Sequence, residues 1–419
     1  MAETNFVSEK DKFVEYKYKI TEFYIIIDGK SKEFPTERIT DFKIEHYFEE
    51  AVFPLFKLNL TMEASRYYEI VKNKDNIKFK IRIQKFYLSK GTQDQSLDRD
   101  FINDTFSIFM DDDNSDLQKD LKKEAGTYDD ENELEKLRNS VELFLFKDSF
   151  VTGLRSSINA VLKDCNMCTA VTYLLYKAGI KHVLMSPFDN TKVYKSLVLP
   201  PQTIERQILY LNNNYGFHKK GSIVYFDLNH GYILDYRSGC TAWAKNEWKE
   251  TSIYVLSKTN PNSHLCGSII KSKEKRHCYS VDSEAVDISA PSVVSNVLNQ
   301  GADVTTIDML NSTTEKKSSK AKTKGNANSK VLFNNTSNPY MGETYTAQQH
   351  ANGAIITIGI QHADIEAFTP NKCISVIFED GELNKAYKGK YRVTTAIYTF
   401  ESGGSMYNLT ASVQLKKVT

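Results

Sequence analysis

The sequence predicts a mainly β protein of the α+β class, with two antiparallel β-barrel domains and a small mixed α/β domain between them. Two observations carry that expectation. Four stretches alternate apolar and polar residues: Phe56 to Met62, Ile77 to Ile83, Tyr391 to Ile397 and Tyr407 to Leu415. Period-two alternation puts one class of side chain on each face of a sheet, so each stretch is a half-buried strand. These strands stand in pairs near opposite ends of the 419-residue chain, and helical patterns at 169–177 and 200–211 lie between them. The prominence of Tyr (24) and Phe (23) agrees, because strands favour both.

In chain order, Lys17 to Asp28 reads as a strand ending at the Asp28-Gly29 turn signal. Asp41 to Tyr47 alternates around Phe42, Ile44 and His46. The two opening strands follow, separated by a helical spacing of Ala64, Tyr68 and Val71, and Phe86 to Leu88 prolongs the second. Residues 111–140 hold eleven acidic and five basic residues and read as a solvated insertion in the first barrel, which resumes at Val141 to Lys147. The run Asp111 to Asp116 lacks the glycine and terminal glutamate of a calcium loop.

Thr169 to Lys177 predicts a helix with Gly179 at its C-cap. Pro200-Pro201 predicts the start of a second helix, striped by Ile204, Ile208, Leu209 and Leu211 and ended by Asn212 to Asn214. A hairpin, Ser222 to Phe226 and Gly231 to Asp235, and a strand at 252–257 come next. Residues 311–330, with six lysines and one glutamate, read as a flexible low-complexity loop. Strands at Ile355 to Ile360 and Ile374 to Phe378 precede the closing pair. The domains expected are 1–150, 151–250 and 251–419.

Net charge is +1, from 54 basic and 53 acidic residues, which gives no broad surface for nucleic acid or membrane. The first ten residues are charged and lack an apolar segment, so no signal peptide is expected. Six dispersed cysteines do not make a disulfide framework and suit folding in a reducing cytoplasm.

One cluster suggests chemistry. Asp164-Cys165 stands before an amphipathic helix, where a thiolate gains from the helix dipole, and His230 lies in a strand–turn context downstream. This arrangement is similar to the NlpC/P60 cysteine peptidases, and it implies the alternative of a tail-associated peptidoglycan hydrolase using Cys165 and His230. Asn166-Met167 replace that family's small residues, and no third residue orienting the imidazole is evident. Cys165 and Cys168 form a lone CxxC without the second pair a structural zinc needs. No catalytic, metal or cofactor residue is therefore expected.

Three segments carry a wider resemblance: Thr40 to Met62, Pro200 to Asp235 and Gly389 to Leu415. Their order resembles the central baseplate hub proteins of contractile phage tails, which open with a tail-tube-like barrel, carry a small α/β part and contain a second such barrel. The resemblance implies a non-enzymatic structural protein of the virion, assembled in the host cytoplasm. It implies a homotrimer whose six barrels match a hexameric tube above and a trimeric spike below. Partners would be the tail-tube protein, the central spike or tail-lysin protein and other baseplate proteins. DNA would pass through the channel without sequence-specific binding.

Overall fold

The computed structural model describes residues 12–49, 53–89, 95–109, 138–180, 182–228, 230–235, 250–260, 266–271, 276–289, 302–318, 328–350, 354–370, 372–402 and 406–417. Most of the acidic stretch and the centre of the lysine-rich stretch lie outside these residues.

The opening region runs β1 (Lys12–Ile27), β2 (Lys30–Glu33), β3 (Ile39–Tyr47), β4 (Leu55–Glu63), α1 (Ala64–Lys72), β5 (Ile77–Ser89), β6 (Gln95–Phe109) and β7 (Arg138–Lys147). Asp28 and Gly29 join β1 to β2 with φ of 48° and 77°, the two positive values that a type I′ hairpin requires. The closing region has β20 (Ile355–Gln361), β21 (Cys373–Phe378), α6 (Gly381–Tyr387), β22 (Gly389–Ser402) and β23 (Tyr407–Lys417). Before it come β13 (Glu250–Leu256), β14 (Gly267–Lys271), β15 (Arg276–Asp282) and β16 (Val286–Ser289).

These strands form one continuous sheet that closes on itself twice. Hydrogen-bonded neighbours run β1–β5–β6–β7–β4–β3–β22–β23, and β23 returns to β1 through Lys17↔Asn408 and Tyr18↔Tyr407. A second circuit runs β1–β14–β15–β13–β21–β22–β23. The hairpin β22–β23 therefore belongs to both circuits. Residues 389–391 pair with β21, whereas 395–401 pair with β3. Among the described strands of this sheet pairing is antiparallel except around β13, which is parallel to both β15 and β21.

Alternation decides what fills each circuit. Phe56, Leu58, Leu60 and Met62 of β4 are fully buried, while Lys57, Asn59 and Thr61 are half-exposed. Ile77, Phe79, Ile81 and Ile83 of β5 and Leu409, Val413 and Leu415 of β23 point into the same core. Phe42 stacks on Phe400 at 4.1 Å and meets Tyr407 edge-on at 5.2 Å. Each such side chain contributes about 2 kcal/mol. Outward-facing ion pairs such as Arg82–Glu22 at 2.8 Å contribute about 0–1 kcal/mol, so the apolar faces hold the sheet closed.

Between the two regions lie α2 (Asp148–Arg155), β8 (Ser157–Cys165), α3 (Met167–Lys177), β9 (Val183–Met185), β10 (Tyr194–Thr203), α4 (Ile204–Tyr215), β11 (Ser222–Phe226) and β12 (Gly231–Asp235). β8 pairs with β10, and β9, β12 and β11 form a second small sheet. Met167, Val171, Leu174, Ile204, Ile208 and Leu211 make a separate core.

The structure corrects the expected helix start at Pro200. Pro200 and Pro201 continue β10 and occupy a register shift between Leu199 and Gln202, and the helix begins at Ile204. Prolines cannot donate to a ladder. The buried Gln207 side chain supplies the missing donors, reaching the Pro200 carbonyl at 2.7 Å and the Ile158 carbonyl on β8. Nor do Asn212 to Asn214 end that helix. It closes at Gly216, whose φ is 70°.

Residues 311–330, expected as a loop, contain strand instead at both ends. β17 (Ala302–Asp308), β18 (Thr313–Ser318) and β19 (Asn328–Asn334) form a three-stranded sheet followed by α5 (Met341–His350). Pairing to β17 fixes β18, whose described side chains all remain exposed. Asn338 docks this unit on α4, its Nδ2 donating to the Asn213 carbonyl at 3.1 Å.

Candidate functional site

The β11–β12 turn faces the barrel core. Tyr225 stacks on Tyr232 at 4.4 Å and receives the edge of Phe48 at 5.2 Å. The Asp227 carboxylate accepts from the His230 amide and from the Tyr232 hydroxyl, each at 2.6 Å. Lys147 of β7 donates to the Leu228 carbonyl at 2.8 Å, fixing the turn to the first circuit.

Opposite the turn, the loop between β20 and β21 inserts into the core. Ala363, Ile365, Ala367 and Phe368 are buried, and three buried tyrosines hold the loop backbone. Tyr18 accepts from the Ile365 amide at 3.3 Å, Tyr279 accepts from the Asp364 amide at 3.2 Å, and Tyr398 donates to the Phe368 carbonyl at 3.1 Å. Lys85 of β5, also buried, binds the Asp364 carboxylate at 2.9 Å and the Glu366 carboxylate at 3.3 Å, and Glu366 also pairs with Arg99.

Turn and loop enclose a cleft of about 230 Å³ lined by His46, Asp227, His230, Glu366, Phe368 and Lys372 among others. Burial pushes the His46 imidazole down to about 4, against the opposing pull of Asp227. The hydrogen bond to Asp227 raises His230. Burial lowers Lys372, whose ammonium donates to the Glu366 carbonyl.

Residues 9–418 match the family model of the bacteriophage PBS1 gene 109 protein. The chain belongs to that family. Two solved structures share the fold of this PBS1 gene 109 family member. One is the tail protein from Neisseria meningitidis MC58, with a TM-score of 0.53 and 11% identity, covering 96% of this chain and 97% of that one. The other is the 43 kDa tail protein of prophage MuSo2 from Shewanella oneidensis, with a TM-score of 0.51 and 11% identity, covering 94% and 96%. Identity this low establishes the fold alone. No curated protein matches the sequence.

In this gene 109 family chain Cys165 is the last residue of β8 rather than the first of a helix. Asn166 is the N-cap of α3, its side chain accepting from the Thr169 amide at 2.9 Å. The Cys165 thiol is buried, donates to the Asn166 carbonyl at 3.2 Å, and is pushed up by burial, the opposite of what a nucleophile needs. Cys165 is absent from the lining of the cleft that holds His230. Conversely, His230 does have an orienting carboxylate: its Nδ1 lies 3.4 Å from Asp227. An Asp three residues before a turn histidine was the available signal for it. Among the described residues no group of three or more His, Cys, Asp or Glu could hold a metal ion, and no helix is long and apolar enough to cross a membrane.

The other candidate surfaces of the gene 109 family chain are sheet faces and edges. The outer face of β3 and β4 carries Lys57–Glu45 at 2.8 Å and Asn59–Asp41 at 2.7 Å. Among the described residues β8 pairs only with β10, and the facing pair Val161 and Val198 is exposed. Among the described residues β19 pairs only with β17, and it exposes Val331 and Phe333.

Proposed function

We propose that this protein is a structural, non-enzymatic component of a phage tail, a baseplate hub that joins tail tube to spike. The observation carrying the proposal is the double closure of the sheet around the shared β22–β23 hairpin. Among the described residues both circuits are filled with apolar side chains, which leaves neither a lumen of its own. A channel would have to form between copies, lined by the balanced polar outer faces. Three copies with two circuits each would present six sheet units to a hexameric tube and three to a spike.

The tail-tube protein, the spike or tail-lysin protein and other baseplate proteins would be its partners, with DNA passing unread. Residues 1–150, 151–250 and 251–419 would serve as opening barrel, mixed module and second barrel, the opening barrel completed by strands from the last. The protein would reside in the virion after assembly in the host cytoplasm. Sheet pairing at open edges such as that of β8 would satisfy N–H and C=O groups between subunits. No observation favours the hydrolase alternative, because Cys165 and the His230 cleft are set in different surroundings.

Native mass measurement with class-averaged electron micrographs tests the proposal. A trimer with a central opening is the expected result. A chain that stays monomeric at high concentration and forms no ring in virions would overturn it.

A further inference from the structure

The cleft beside His230 has an unmatched set of polar groups. His46 lines it and is more than nine-tenths buried, yet its Nδ1 has no hydrogen-bond partner. A buried polar atom left bare carries a desolvation cost that a ligand can recover. The carboxylates are already engaged: Asp227 by the His230 amide and the Tyr232 hydroxyl, and Glu366 by Lys85 and Arg99.

Among the described residues Lys85, Arg99 and Lys372 face Asp364 and Glu366, while the third carboxylate, Asp227, faces His230 across the cleft. The third cation, Lys372, donates its ammonium to the backbone carbonyl of Glu366. His230 brings a further positive charge when protonated against Asp227. Phe48, Phe101, Phe368 and Tyr398 supply an aromatic wall behind these nitrogens. The rim is open, since the His230 and Glu366 side chains are 41% and 38% exposed.

We propose that this cleft binds a carboxylate joined to an apolar body of about the size of one amino acid. The carboxylate sits against Lys372 and His230, and the apolar body lies on Phe368 and its aromatic neighbours. The counter-charge lets His46 take up a proton at Nδ1, so binding and protonation favour each other. The groups facing His46 are Asp227 from the turn and Tyr398 from β22. Those facing His230 are Asp227, Lys147 and His182. None of them supplies a second anion that would cancel the effect. The site is independent of the hub assignment and stands or falls separately.

Calorimetric titration of the full chain with phenylacetate, phenylacetamide and acetate tests the site. Phenylacetate is expected to saturate, to bind at least tenfold tighter than either comparison compound, and to tighten several-fold between pH 7.5 and 6. Runs in two buffers of different ionisation heat should show net proton uptake. Lys372→Met should weaken phenylacetate at least tenfold, and His46→Gln should flatten the pH dependence. Should either variant misfold, proton uptake by the unaltered chain decides the matter. Equal binding of amide and carboxylate, absence of saturation, or absence of proton uptake would each overturn the proposal.

Discussion

Lys85 and Asp364, 279 positions apart, form a 2.9 Å ion pair within the core, with the lysine side chain only 3% exposed. The pair ties β5 of the first circuit to the loop that enters between β20 and β21. Removing one partner of a buried pair leaves an uncompensated charge. Lys85→Met is expected to destabilise the fold by about 3 kcal/mol, read as a lower urea midpoint at unchanged slope. A loss below about 0.5 kcal/mol, the scale of an exposed pair, would show that the loop is held by its other contacts without this pair.

Stability should fall with acid through His46. Its folded-state value of about 4 lies below the ordinary 6.5, so the unfolded chain binds this proton more readily. The contribution is intact above pH 6.5 and declines as pH drops toward 4, by about 3 kcal/mol in full. His46→Gln should flatten the curve of unfolding free energy between pH 7 and 4.5. An unchanged slope in that variant would place the titration elsewhere.

Gly216 and Asn338 form a close junction between α4 and the β17–β19 unit. A Cβ added at Gly216 would lie 2.3 Å from the Asn338 Oδ1, at a φ of 70° that favours glycine. Gly216→Ala should cost about 2 kcal/mol, half from the backbone conformation and half from the displaced asparagine. Asn338→Ala should cost about 1 kcal/mol, and the double variant should be less destabilised than the sum. Strict additivity in thermal unfolding would contradict the contact.

The two neighbouring cysteines should differ in reactivity. Cys168 is exposed on the first turn of α3, whereas Cys165 is buried with its thiol pushed up. Pulse labelling with iodoacetamide at pH 7.5, read by peptide mass, should modify Cys168 at least tenfold faster. Comparable rates would mean that Cys165 is activated.

The strands β4, β5, β22 and β23 were legible because one face of each meets a core and the other meets water, and alternation records that directly. The shared role of β22–β23 was not. Ala396 pairs with His46, 350 positions earlier, and pairing of that range leaves no local mark in either segment. Pro200-Pro201 misled because a proline pair suits both a first helical turn and a bulge. Only the buried Gln207, seven residues after Pro200, separates the two. β18 read as a loop because no described side chain on it is buried, leaving Thr313 and Thr314 as the sole strand-favouring signal. At the cleft, His230 stood out in its turn, but Lys372 and Glu366 come from a loop whose place depends on the tertiary fold.

The shared hairpin also sets a schedule for synthesis. Both circuits need β22 and β23, so neither can close until Tyr407 and Asn408, which pair with β1, have left the ribosome. Strands made more than three hundred residues earlier must wait with their edges unpaired, a state prone to aggregation and suited to chaperone binding. A ribosome that stalls late therefore releases a chain with no finished barrel at all. Such a chain would present no completed surface to a growing tail.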